Sequence, residues 1–363
     1  MSGKALNKKP LAVLMIGPLP PPIGGGQTVF KCLVDDLGKH NGCEIIVINT
    51  SRSIHSIAFI GNIAAAIRVI FKLCTKSRSV DVVTFHASRR GSLLFGPLVY
   101  IISRFYKKPC IFRFFGGGFD SFLESRGKIL RWLFKKTVFS SYACLYQTKK
   151  LVNHFNEIGL KNVVWFSNYT KNIPSVPIKL SRKTCNRYVF VGRIERDKGI
   201  DVILDSAHFL DKEVTIDLYG PLSSTYSIEE IEYRGGGRIH YCGILSKEEV
   251  FKTLWEYDSL VYPTCYQNEG YPGAILDALS HGLPIISTDW MAIPEILDDT
   301  CSILIEPEDT QGFARAVNLL HKDVDLFSRL RYGSYERAQR FSDIHWTQFF
   351  VELLQKSVDN NHE

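Results

Sequence analysis

The sequence predicts an α/β protein made of two doubly wound, parallel-sheet domains. Three observations predict this. Short apolar runs alternate with helical patterns along the chain, the signature of strand–helix–strand units. The alternation pauses at 173–187, a stretch with Pro174, Pro177 and several basic and polar residues, and then restarts. The length of 363 residues suits two domains of ordinary size.

Each element follows from its local pattern. Leu11–Ile16 is an unbroken apolar run and reads as a buried parallel strand. Gly17–Gly26 is a Pro/Gly loop, and Gln27–Leu37 has helical spacing. Glu44–Ile48 is the second strand, and Ile57–Cys74 fits a helix. Val80–Phe85 reads as a strand, Leu93–Phe105 as a helix and Pro109–Phe115 as a strand. Lys128–Phe139 is a basic helix, and Cys144–Gln147 and Val163–Phe166 complete the first sheet. After the pause, strands are expected at Tyr188–Val191, Thr215–Tyr219, Ile239–Tyr241, Ser259–Tyr262, Pro284–Ser287 and Cys301–Ile305. Helices are expected at Ile200–Leu210, Lys247–Trp255, Ala274–Ser280 and Gln311–Leu319. Ile344–Val358 is an amphipathic helix. The expected division is a first domain over 1–172, a linker over 173–187 and a second domain over 188–343. The C-terminal helix 344–363 is expected to pack back on the first domain. Ligands of such sheets sit at the carboxyl ends of the strands, so a cleft between the domains is the expected site.

Composition narrows the class. Hydrophobic residues make up 45% and charged residues 22%, which excludes a disordered chain. The nine cysteines are odd in number, widely spaced and without a Cys-x-x-Cys. That speaks against a disulfide framework or a zinc knuckle and for a reducing compartment. Lys4, Lys8 and Lys9 before Leu11–Ile16 imitate a signal peptide, but the apolar run ends at Gly17-Pro18 and is too short. Ile54–Ile67 is interrupted at once by Arg68 and Lys72, so no membrane-spanning helix is expected. The net charge of +7 hides a split: residues 1–170 sum to +17 and residues 171–363 to −10.

Three segments carry candidate chemistry. Gly24-Gly25-Gly26 lies between a strand and a helix. Gly25 and Gly26 there let a ligand approach the backbone, with the helix amides open to an anion. It is neither a G-x-G-x-x-G nor a P-loop motif, and a plain turn is the alternative. Arg193 and Lys198 follow the strand Tyr188–Val191. A guanidinium fork and a mobile ammonium together suit a diphosphate, although two solvated surface cations would have the same sequence. In the run Asn268 to Pro284, Glu269 precedes a helix and Asp277 lies inside it. The amides of Gly273 and Ala274 stand free at the helix start. Carboxylates so placed suit a sugar and a ribose on either side of one diphosphate; the plainer reading is a helix-dipole contact by Glu269 and an exposed Asp277.

At these residues the resemblance becomes specific. Phe190-Val191-Gly192-Arg193, Asp197-Lys198-Gly199, Tyr219-Gly220-Pro221, Gly243 and Tyr262-Pro263-Thr264 stand in a fixed order. Glu269-Gly270-Tyr271-Pro272, Gly282-Leu283-Pro284-Ile285-Ile286 and Ile293-Pro294-Glu295-Ile296 continue it. Together they resemble the retaining, family 4 type of GT-B glycosyltransferase, and the first half of the chain matches mainly through Gly24–Gly26 and the order of elements. The resemblance implies two Rossmann-like domains facing a central cleft, the first on the acceptor side and the second binding a nucleotide-diphosphate sugar. It implies that Arg193 and Lys198 neutralise the diphosphate, that Glu269 contacts the donor sugar and that Asp277 contacts the ribose. The family's second acid is commonly Glu, and here it is Asp277. A His-Gly common in the family is replaced by Phe115-Gly116-Gly117-Gly118. His86, in Thr84-Phe85-His86-Ala87-Ser88, is a candidate catalytic residue in its stead, and Arg113 is a further candidate contact.

The expected function is therefore sugar transfer from a nucleotide sugar to a saccharide acceptor, with retention. Arg193, Lys198 and helix amides stabilise the leaving group, so no metal or other cofactor is expected. The implied process is front-face, the leaving phosphate helping to deprotonate the acceptor. A same-fold enzyme with a soluble acceptor, a nucleotide-sugar epimerase or phosphorylase, and a binding protein without chemistry are the alternatives. The basic clusters Arg104-Phe105-Tyr106-Lys107-Lys108 and Arg131-Trp132-Leu133-Phe134-Lys135-Lys136, with Arg68, Lys72, Lys76 and Arg78, mix cations with apolar residues. They suit an anionic membrane surface. A lipid-linked acceptor, a cytoplasmic place on the inner face of the membrane and a role in cell-surface polysaccharide assembly are expected. Nucleic acid is not, since no nucleic-acid motif accompanies the charge.

Overall fold

The computed structural model describes residues 9–21, 24–51, 69–171, 173 and 184–361. The first part of the expected helix Ile57–Cys74 and most of the expected linker lie outside the described residues. The chain divides into two compact units. One holds the residues up to Ser167 and those from Asp343 on, and the other is Asn168–Ser342. Asn168 to Thr170, expected in the first domain, count with the second unit because their contacts lie there: Thr170 N donates to Phe341 O at 2.9 Å and Asn168 Nδ2 to Tyr271 O at 2.8 Å.

The first unit contains β1 (Leu11–Gly17), β2 (Cys43–Asn49), β3 (Val82–Ala87), β4 (Cys110–Phe114), β5 (Ala143–Tyr146) and β6 (Val163–Trp165). All pair in parallel, in the order β2-β1-β3-β4-β5-β6. Helices α1 (Gly25–Gly38), α2 (residues 69–76), α3 (Arg89–Phe105), α4 (Phe119–Glu124), α5 (Lys128–Lys136) and α6 (Lys149–Glu157) accompany it. Val13 to Ile16 of β1 and all of β3, β4 and β5 are buried, as strands covered on both faces must be. The core is rich in aromatics: Phe114 stacks on Tyr146 at 5.0 Å, and Tyr146 on Phe155 at 4.8 Å. The register sets His86 beside Arg113.

The second unit repeats the plan with β7 (Arg187–Val191), β8 (Thr215–Tyr219), β9 (Ile239–Tyr241), β10 (Ser259–Tyr262), β11 (Ile285–Thr288) and β12 (Ser302–Ile305). Its order is β12-β11-β10-β7-β8-β9, again all parallel. Its helices are α7 (Ile200–Asp205), α8 (Ile228–Gly235), α9 (Lys247–Thr253), α10 (Gly273–Ser280), α11 (Ile293–Ile296), α12 (Thr310–Lys322) and α13 (Val324–Ala338). The expected strands are present, with boundaries shifted by a residue or two. The expected helix Lys128–Phe139 ends at Lys136, because Thr137 leaves helical geometry (φ −125°) and a 3-10 turn follows.

The final helix α14 (Asp343–Asp359) belongs to the first unit. It buries Trp346, Phe350 and Leu354. Phe350 lies 5.2 Å from Phe166 and 6.0 Å from His86, centroid to centroid. Phe350→Ala should therefore lower the stability of the first unit by about 3–5 kcal/mol, read as a shift in its denaturant midpoint. A loss well under 1 kcal/mol would show that α14 is not part of this core.

Candidate active site

In the second sheet the strand order reverses at β7, which has β8 on one side and β10 on the other. Loops leaving β7 and β10 emerge at the same end of a parallel sheet and turn away to opposite faces, which opens a crevice there. The two loops are tied together. Cys265 N donates to Asp197 O at 2.9 Å, and Thr264 Oγ1 lies 3.2 Å from the same carbonyl. Gly199 makes this approach sterically possible. Its φ is +77°, and a Cβ there would fall 1.9 Å from Pro263 O.

This contact brings Lys198 to Glu269. Nζ lies 2.6 Å from Oε2, and the two side chains are only 7% and 8% exposed. Thr264 Oγ1 donates to the same Oε2 at 2.7 Å, and Lys198 Nζ sits 4.4 Å from the centre of the Tyr266 ring. Oε2 is thus taken up, while Oε1 has no partner among the described residues. Two charges taken out of water and paired recover little net stability, which makes this pair at a crevice a candidate for a working site.

The other predicted donor contacts cluster around it. Arg193 is half exposed and pairs with Glu195 at 2.6 Å. Burial pushes the Tyr262 hydroxyl well above its ordinary range; Glu269 adds to this and Arg193 opposes it, so both charges act on the one phenol. Pro272 is the cap of α10, with φ −63° and ψ 128°. The amides of Gly273 and Ala274 open the helix without intrahelical acceptors, and nothing stands within 4 Å of where a Gly273 Cβ would be. Asp277, one turn into the helix, is half-buried, and its Oδ1 accepts from Thr170 Oγ1 at 2.8 Å.

The candidates of the first unit lie at the corresponding place in its own sheet. There the order turns at β1, between β2 and β3. Gly25 and Gly26 open α1 directly after β1. A Cβ on Gly25 would meet nothing within 4 Å, and one on Gly26 would meet Phe115 at 3.1 Å. His86 ends β3 but is only 1% exposed. Its ring packs 4.8 Å from Phe30, and Nε2 shares a 3.0 Å hydrogen bond with Thr84 Oγ1. Burial, with the Arg113 charge adding to it, holds its pKa well below the ordinary histidine range, so the ring is neutral. Arg113 is equally buried, its guanidinium 4.4 Å from the Phe166 ring centre. The structure thus brings Lys198 and Glu269 together and leaves His86 in the other unit, sealed from solvent.

Sequence reasoning passed over Thr170, Glu195 and Tyr266. It quoted Thr264 within a motif without giving it a role. Only Glu195 carried a signal, a carboxylate two residues beyond a predicted phosphate-binding arginine. The Asp-x-Asp triplet Asp323-Val324-Asp325 has a structural explanation: Asp323 caps α13 by accepting from Leu326 N at 2.8 Å. All nine cysteines are free thiols.

Lys198→Ala strands a buried carboxylate and should cost about 3–5 kcal/mol of stability. The double variant Lys198→Met/Glu269→Gln removes both charges and should recover most of that loss. Thermal and denaturant unfolding of the three proteins checks this. A single variant as stable as the parent would contradict the pairing.

Comparison with known proteins bears on the second unit's family and on the fold. Residues 185–323 match the family model described as glycosyl transferases group 1. O-antigen chain mannosyltransferase C of Escherichia coli is 25% identical over 171 residues, 46% of this chain and 46% of that protein. The N,N'-diacetylbacillosaminyl-diphospho-undecaprenol alpha-1,3-N-acetylgalactosaminyltransferase of Campylobacter jejuni is 22% identical over 213 residues, 58% of this chain and 52% of that protein. The chain therefore spans about half the length of these curated relatives. Among solved structures, Anabaena Alr3699/HepE in complex with UDP has a TM-score of 0.72 at 15% identity, covering 95% of this chain and 100% of that one. Sucrose-phosphate synthase from Thermosynechococcus elongatus has a TM-score of 0.73 at 14% identity, covering 95% and 98%. At such identities these structures speak for the fold, which is GT-B. Residues 185–323 thus match the domain of the group 1 glycosyl transferases, on a chain that has the GT-B fold.

Proposed function

We propose that this protein transfers a sugar from a nucleotide-diphosphate sugar to a saccharide acceptor that is lipid-linked, with retention, in cell-surface polysaccharide biosynthesis. The observation that carries the reading is the buried Lys198–Glu269 pair at the switch point of the second sheet, beside the open start of α10. Lys198, Arg193 and the amides of Gly273 and Ala274 hold the diphosphate, and the free Oε1 of Glu269 accepts from a sugar hydroxyl. Asp277, oriented by Thr170, accepts from the ribose. As the bond from the anomeric carbon to the diphosphate oxygen breaks, the acceptor oxygen forms its bond on the same face. The acceptor's proton passes to the departing phosphate. The cations and helix dipole stabilise the negative charge on the leaving group, so the reaction proceeds without a metal. Neutral and enclosed by Phe30 and Phe350, His86 underpins the end of β3, and the donor chemistry rests on Glu269.

The first unit supports the acceptor side of the reading. Helices α3 and α5 expose Leu94, Ile101, Phe105, Ile129 and Trp132, at 53–84% each. Lys128, Arg131, Lys135 and Lys136 stand exposed on α5 among them. Such a face suits an anionic membrane leaflet, each cation contributing roughly 1 kcal/mol. No helix among the described residues is long and apolar enough to cross a membrane. A relative named for a diphospho-undecaprenol substrate fits the same picture. The proposal accordingly places the protein in the cytoplasm, on the inner face of the membrane.

Glu269→Gln should nearly abolish transfer on saturating donor, and Asp277→Glu should remain active. Arg193→Ala should weaken nucleoside-diphosphate binding by about 1.5–3 kcal/mol. Calorimetry and product analysis with lipid-linked acceptors, run in EDTA, test all three and the metal-free reaction together. Normal turnover by Glu269→Gln would reduce Glu269 to a structural partner of Lys198, and full loss in EDTA restored by Mg²⁺ would overturn the metal-free step.

Flotation with anionic vesicles should show binding that falls with salt and is lost in Ile129→Asp/Trp132→Asp. Equal binding to neutral and anionic vesicles, or none to either, would reject the membrane face.

A further inference from the structure

The first unit has a pocket of about 320 Å³ that is separate from the strand ends carrying Gly25 and His86. It opens at the amino-terminal ends of β4 and β5, where Cys110 begins one strand and Tyr142 precedes the other. Arg104 and Lys108 line it, together with Ser140, Ser141, Tyr142, Asn360 and Asn361. Among the described residues, no carboxylate lines it. The ion pairs described in this unit are Lys31–Asp35 and His154–Glu124, so neither pocket cation is neutralised among the described residues.

The walls are held by their own hydrogen bonds. Asn361 Nδ2 donates to Lys107 O at 3.0 Å, and Lys107 is in the left-handed region at φ +55°. Asn360 Nδ2 donates to Tyr142 Oη at 3.3 Å. The turn after α3 and the end of α14 are thereby fixed around one space. Both helices end here, and each end carries roughly half a negative charge. Those ends are partly covered: Lys108 N donates to Ser103 O at 2.9 Å and Lys107 N to Arg104 O at 3.0 Å. Two cations against about one unit of dipole charge leave the pocket positive. A guanidinium fork and an ammonium at one concave, otherwise uncharged wall are the partners of a phosphate.

We propose that this pocket binds a phosphate monoester carried on a small polar group. The proposal does not rest on the sugar-transfer reading. The phosphate has two sources, a lipid headgroup or a soluble metabolite. Phe105 and Ile101, exposed on the same helix as Arg104, bring the lipid source within reach.

The test uses the full chain and two probes: glycerol 1-phosphate in calorimetry, and phosphatidylcholine vesicles with or without phosphatidic acid in flotation. Arg104→Gln/Lys108→Gln should weaken binding of at least one probe by about tenfold or more. Lys39→Gln/Lys161→Gln removes the same charge from exposed sites of the same unit and should leave binding within about twofold, since diffuse surface charge contributes little. Ser140→Asp places a carboxylate at the rim and should mimic the pocket variant, which keeps the test decisive if the double variant is unstable. Loss of glycerol 1-phosphate binding identifies a soluble source, and loss confined to phosphatidic acid vesicles identifies a headgroup. Binding of neither probe by the parent protein, or equal losses in the pocket and control variants, overturns the proposal.

Discussion

The contact between Lys198 and Glu269 is the interaction around which the second unit's site is arranged. It joins residues far apart in sequence, and it exists because two loops lie against each other at the end of a parallel sheet. The approach depends on Gly199, where any side chain would run into the backbone of Pro263. Gly220, after β8, meets the same constraint at Gly192 O, so three successive strand ends are packed backbone to backbone. Side chains on these loops have little freedom to be anywhere else. A carboxylate with one oxygen engaged and the other without a partner among the described residues is the consequence.

The two units share a plan but differ in how they use charge. In the second, many cations on described residues pair with an acid: Arg234 alone meets Asp201, Asp205 and Glu230. The first unit's sequence is short of acids, and its core is secured by stacked aromatic rings instead. Its surface cations then stay available, on the α3–α5 face and in the pocket beneath β4 and β5. Surface pairs contribute little to stability, so this imbalance weakens the fold little while leaving a persistent positive surface.

Connections to each unit's last segments complete the arrangement. Trp346 and Phe350 of α14 close over Phe166 and His86 in the first unit. In the second, Thr170 ties its backbone to Phe341 and its hydroxyl to Asp277. A segment that reads as a plain connection thereby orients a carboxylate of the candidate site. The shorter Asp277, in place of the family's commoner Glu, is held by this contact.

The order of strands and helices was legible because buried parallel strands are unbroken apolar runs, and Gly and Pro mark their ends. Arg193, Lys198, Glu269 and Asp277 were legible because their spacing follows that order and matches a known family's. Helices α4, α6, α8 and α13 were not seen in the sequence. The first three are short, and α13 buries Arg331, Gly333 and Ser334 among Phe327, Leu330 and Ala338, so its apolar stripe is interrupted. Gly333 is there because the helix backbone passes close to Thr300 O, a contact distant in sequence. The engagement of Glu269 Oε2 by both Lys198 and Thr264, the grip of Thr170 on Asp277 and the sealing of His86 by Phe350 were likewise decided by tertiary structure. Local pattern reports which face of an element is apolar. Which groups meet across elements depends on sheet order and close backbone approach, and neither is a property of neighbouring residues.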